Sequence, residues 1–153
     1  MLKKKLVLIA VLFIALLFGV LFIYNNTIGK IPRYIEKAIK DTYTKEEEFG
    51  DLALDHSELC DEIINNYKDT IENINLEKAN IKDKKLNSTL KKYISGLEIR
   101  IKAYEAYKDE LDEYGYLLRE SDENIEPALI TLVEDYHLGI EDTEYYKFIT
   151  ANK

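Results

Sequence analysis

Asp55, His56 and Cys60 lie within about one helical turn of one another, and residues four apart on a helix share a face. An imidazole and a thiolate at that spacing are two of the ligands a structural zinc site needs. Such a site takes two more soft ligands, and the other histidine, His137, stands far along the chain. The same residues read as a half-buried histidine beside a core cysteine, because an unpaired cysteine packs as a small apolar side chain. Cys60 is the single cysteine, so no internal disulfide forms and stability must come from packing.

Glu134 and His137 form a Glu-x-x-His element, which di-iron carboxylate bundles use twice. The position three before His56 is Ala53, so the second copy is missing and no two-metal site is expected. There is no glycine-rich phosphate loop, nucleophile elbow or His-Glu-x-x-His motif in the 153 residues. Acidic residues are plentiful, but most fall on what helical spacing makes a solvated face. The expectation is a protein that is not an enzyme and that holds no metal or cofactor.

Charge patterning is more informative. Lys78, Lys82, Lys84, Lys85, Lys91 and Lys92 gather about one polar stretch, with only Asp83 inside the cluster. Residues 105–126 and 134–144 are acidic by contrast. Over residues 46–153, thirteen Lys and Arg stand against twenty-seven Asp and Glu, a net charge of −14. A body this acidic repels phosphate backbones, so nucleic acid is not an expected partner. The six lysines are candidates for contact with an anionic surface; the plain alternative is a solvated tip. Tyr104, Tyr107 and Tyr136, three of twelve tyrosines, are candidates for a groove or protein interface. Their ordinary place would be the margin of a helical core. Asn-x-Ser/Thr sequons at Asn25 and Asn87 matter only where such sites are glycosylated.

What holds these residues in place begins with an apolar run. Residues 6–23 contain no charge and no proline, and fifteen of the eighteen are Leu, Ile, Val or Phe. At roughly −0.4 kcal/mol each, they favour membrane insertion by about 6 kcal/mol. Extended through Tyr24, the helix would be ~28 Å long, close to the hydrocarbon core. A cleaved signal has a shorter apolar core and a small-x-small site, and residues 27–29 supply only a mediocre one. The reading is a basic tail over residues 1–5, a transmembrane signal-anchor over 6–24, a linker over 25–31 and a bundle domain over 32–153. Lys3, Lys4 and Lys5 place the tail inside, although Lys30, Arg33, Lys37 and Lys40 compete on the other flank. The body is then extracytoplasmic, in a single-pass protein of the cell membrane.

Beyond the linker the apolar spacing is helical throughout. Pro32 suits a first helical position, with Ile35, Ala38, Ile39 and Tyr43 behind it. Gly50 and Asp51 read as a break, the alternative being one kinked continuous helix, since Glu46, Glu47 and Glu48 propagate helix well. A second helix carries Leu52, His56, Leu59, Cys60, Ile63, Tyr67, Ile71 and Ile74, and residues 80–87 read as its turn. Asn87 or Ser88 would cap a third and longest helix, with Leu90, Tyr93, Leu97, Ile101, Tyr104, Leu111 and Leu118 on one face. Pro127 would start a fourth, Gly139 end it, and Asp142 cap a short fifth. The fold class expected is all-α: an N-terminal transmembrane helix, then an up-and-down antiparallel helical bundle with a long central hairpin. The function expected is contact with a protein partner or an anionic envelope polymer. The alternative is an extracytoplasmic ligand-binding or sensory module working with a separate membrane partner.

Overall fold

The apolar stripes form five helices among the residues that the computed structural model describes, 16–17, 30–53 and 57–151. They are α1 (Arg33–Ala53), α2 (Ser57–Lys78), α3 (Lys84–Lys108), α4 (Tyr114–Tyr136) and α5 (Glu144–Ala151), and no strand occurs among the described residues. Met1–Lys30 is one compact unit and Ile31–Lys153 another. The anchor expected over residues 6–24 lies outside the described residues except for Leu16 and Leu17, which are helical. Among the described residues, no helix is long and apolar enough to cross a membrane.

The larger unit is a helical bundle around one core. Ile35, Ile39, Cys60, Ile63, Tyr67, Ile74, Leu90, Tyr93, Leu97, Leu129 and Leu132 are all buried in it. Ile31, expected in the linker, is buried there too. Cross-helix contacts run in opposite order along neighbouring helices. Thr42 meets Thr70 and Glu46 meets Tyr67 between α1 and α2. Arg100 meets Ser121, and Tyr104 meets Tyr114, between α3 and α4. The most extensive packing joins α3 to α4 and α1 to α2. The α2 and α3 pair expected as the central hairpin packs less extensively than either.

Gly96 explains why α3 and α4 come so close. A Cβ there would run into the Ile125 side chain and lie 3.1 Å from the Ser121 carbonyl oxygen. Glycine weakens a helix interior, but here it lets two backbones approach.

Several helix ends differ from expectation. α1 continues through Gly50 and Asp51 to Ala53, so Leu52 belongs to the first helix, and His56 lies outside the described residues. α3 begins earlier than Asn87 because Asp83 caps it, its Oδ1 accepting from the Lys85 and Leu86 amides at 2.8 and 3.0 Å. It also ends earlier, at Lys108, where the chain turns through Glu110 at a φ of 55°. Leu111 is therefore exposed in a turn, and Leu118 belongs to α4. Pro127 lies inside α4 rather than at its start. Its ring faces solvent, where water can serve the Glu123 carbonyl that loses its amide partner. α4 closes with His137 in the left-handed region at φ 56°, two residues before Gly139. Thr143, not Asp142, caps α5 by accepting from the Tyr146 amide.

Candidate functional site

Arg100 is a heavily committed polar side chain among the described residues. It shares a face of α3 with Tyr93, Leu97 and Tyr104, so the helix carries it into the core, where it is 6% exposed. All three guanidinium nitrogens donate: Nε to Ser121 Oγ at 3.0 Å, Nη1 to Glu46 and Nη2 to Asp122. Glu46 also accepts from the Tyr67 hydroxyl at 2.6 Å. One cation thus ties together α1, α3 and α4, with α2 joined through Tyr67.

Burial works against the Arg100 charge, but Glu46 foremost, with Tyr67, Tyr145 and Asp122, outweighs it and holds the pKa well above the ordinary arginine value. Burial pushes the Asp122 carboxyl up, against the pull of Arg100. The phenols of Tyr67, Tyr93, Tyr104 and Tyr145 are raised in the first place by burial. None of these groups is a ready base or nucleophile. The arginine is permanently charged, and Glu46 and Asp122 are both engaged by it.

Beside this centre lies a cavity of about 180 Å³ lined by Tyr43, Glu46, Glu47, Arg100 and Tyr145. It is smaller than the ~300–1,000 Å³ of typical ligand pockets and suits a few water molecules. The Tyr145 hydroxyl is buried with no hydrogen-bond partner among the described residues, so it could use one. The Tyr43 and Tyr145 rings pack at 5.6 Å, and the Tyr43 hydroxyl donates to Glu47 at 2.7 Å.

No family model, curated protein or solved structure matches the chain. What each residue does must therefore be argued from its surroundings.

The six lysines do come to one end. Lys82, Lys84, Lys91 and Lys92 are exposed and Lys78 is half-buried. Lys85 pairs with Asp135 of α4 at 2.8 Å, so that end holds carboxylates as well. Asp83 accepts from the Tyr136 hydroxyl at 3.1 Å, which puts Tyr136 beside the lysines. Tyr104 and Tyr107 belong to the opposite end, so the three tyrosines do not line one groove. Tyr104 is buried against Tyr67 and Tyr114, with ring centroids 6.1 and 6.3 Å away. Tyr107 borders an open cleft of about 600 Å³ with Lys108, Glu110, Leu111, Asp112, Tyr114 and Gly115.

Cys60 is in the core, and burial pushes its thiol up. Asp55 and His56 lie outside the described residues. Glu134 and His137 are exposed, and no group of three metal-ligating side chains occurs among the described residues. The Arg100 centre is the arrangement that sequence reasoning missed. Its signal was an arginine at a core position, three after Leu97 and four before Tyr104.

Proposed function

We propose that the chain is a single-pass, membrane-anchored, non-catalytic protein. Residues 6–24 span the bilayer, and the helical bundle works outside the cytoplasm by contact with protein or envelope. The observation that carries this reading is that the chain enters the bundle at its lysine-bearing end. Thr42 pairs with Thr70, and Thr70 also donates to the Ala38 carbonyl at 3.5 Å, so Ile31 at the head of α1 lies level with the end of α2. The turn after α2 carries the lysines. Lys82, Lys84, Lys91 and Lys92, exposed at the end of the bundle where the chain enters it, are the side chains we assign to contact with anionic headgroups. Each lysine near such a surface contributes about 1 kcal/mol.

The test is lysine footprinting of the full chain in lipid vesicles, with acylated sites read by mass spectrometry. With phosphatidylglycerol present, Lys82, Lys84, Lys91 and Lys92 become less reactive than in phosphatidylcholine alone, and Lys102 on the opposite half of α3 does not. Equal reactivity in both lipids would count against the lysine-end contact. A second reading, a ligand-binding or sensory module, draws on the open cleft beside Tyr107.

A further inference from the structure

We propose that the cleft between the end of α3 and the start of α4 is a binding site for an organic cation of the guanidinium or quaternary ammonium type. The cleft measures about 600 Å³, within the range of small-molecule sites. One wall is aromatic: the Tyr107 and Tyr114 rings lie 5.0 Å apart at 51°, and Tyr114 is backed by buried Tyr104. Leu111, 48% exposed, adds apolar surface. The carboxylates Glu110 and Asp112 line the same space. The one lysine in the lining, Lys108, is paired with Asp61 of α2, so its charge is already answered. Aromatic faces with carboxylates nearby attract large, weakly hydrated cations. The C-terminus of α3 and the N-terminus of α4 meet here, and their opposed dipoles offset one another.

Gly115 is the independent sign that the space is kept open. It stands in the first turn of α4, where glycine weakens a helix relative to alanine. Its φ is not left-handed, and a Cβ there would meet nothing within 4 Å. Neither backbone conformation nor close packing calls for glycine, unlike at Gly96. Gly115 borders the cleft, and open space lies in front of its Cα. The site is independent of the membrane reading and stands or falls separately.

The experiment uses the full chain in a neutral detergent, with saturation-transfer NMR on three probes. These are tetramethylammonium, its uncharged near-isostere tert-butanol, and an acetylated Arg-Gly-Arg peptide amide. Tetramethylammonium binds saturably, at least tenfold more tightly than tert-butanol. Gly115→Trp and Tyr107→Leu each weaken it at least tenfold, while Gly115→Ala binds as the parent does, with helix content by circular dichroism checked for all three. A tenfold preference for the peptide assigns the cation to a partner's arginine; equal or weaker peptide binding assigns a free small molecule. The proposal is overturned by absence of saturable binding to both tetramethylammonium and the peptide, by equal binding of tert-butanol, or by a folded Gly115→Trp that binds undiminished.

Discussion

Arg100 on α3 donates to Glu46 on α1, 54 positions earlier, and the same guanidinium donates to Asp122 on α4. A buried ion pair is a weak source of net stability, because desolvation offsets its Coulombic gain. What it supplies here is a geometric tie, because the three nitrogens are satisfied by side chains from two other helices at once.

Removing the cation should therefore cost more than the pairs contribute. Arg100→Met leaves Glu46 and Asp122 close together with nothing between them, and is expected to lower unfolding free energy by about 3 kcal/mol. Adding Glu46→Gln and Asp122→Asn should recover more than half of that. Urea unfolding of the full chain in detergent, followed by circular dichroism, measures both. An Arg100→Met midpoint equal to the parent's would contradict the role assigned to this centre.

Asp122 gives the centre a pH dependence of definite sign. Burial raises its carboxyl above the usual 3.8, so on acidification the folded state takes up this proton before the unfolded chain does. Its contribution is fully present below 3.8 and is lost as pH rises through the raised folded value. Glu126 is also raised, by burial and then by the Asp122 charge. Asp122→Asn removes the Asp122 step and weakens the cause acting on Glu126. As pH falls from 6 toward 3.8, the parent should gain stability relative to Asp122→Asn. A difference that stays flat or reverses would show that the carboxyl is not raised.

Gly96 should tolerate no branched side chain. Gly96→Val pushes into Ile125 and the Ser121 carbonyl and should destabilise by about 2 kcal/mol through overpacking. Gly115→Val, at a position with open space, should stay within about 0.5 kcal/mol of the parent. Equal losses at the two glycines would mean that close approach to α4 is not what sets Gly96 apart, since valine is the better helix former at both positions.

Asp83 has two tasks, capping α3 through Oδ1 and accepting from Tyr136 through Oδ2. Asp83→Ala should cost about 2 kcal/mol, roughly one for the cap and one for the hydroxyl contact. Tyr136→Phe removes only the second. Burial, then the Asp83 hydrogen bond, pushes the Tyr136 phenol up to about 12. Asp83→Ala should therefore also lower the pH at which this phenol ionises, read from tyrosinate absorbance.

The apolar faces were legible in the sequence because burial follows helical spacing. Ile35, Ile39, Ile63, Tyr67, Leu90, Tyr93, Leu97 and Tyr104 are all core residues. Helix ends were less legible because tertiary packing overrode local signals. Gly50 and Asp51 look like a stop, yet α1 runs past them. Residues 109–113 hold no glycine or proline, yet the chain reverses there through a left-handed glutamate. Pro127 looks like a start, but its missing amide falls on the wet side of α4, where the loss is slight. Arg100 stands in the same stripe as Leu97 and Tyr104, so its burial could be read. Its partners could not, because they come from two helices whose alignment only the packed bundle sets. The Tyr107 cleft depends on where α3 ends, which the sequence left too far along the chain.

The proposed function requires residues 6–24 to span a membrane and the bundle to lie outside the cytoplasm. Alkaline carbonate extraction of cells making the full chain with a C-terminal tag, paired with protease treatment of intact cells, examines both requirements. The tagged chain is expected to stay with the membrane pellet and to lose its tag to external protease. Unprocessed chain in the carbonate supernatant would contradict the anchor, and a tag protected until the cells are broken would contradict the orientation.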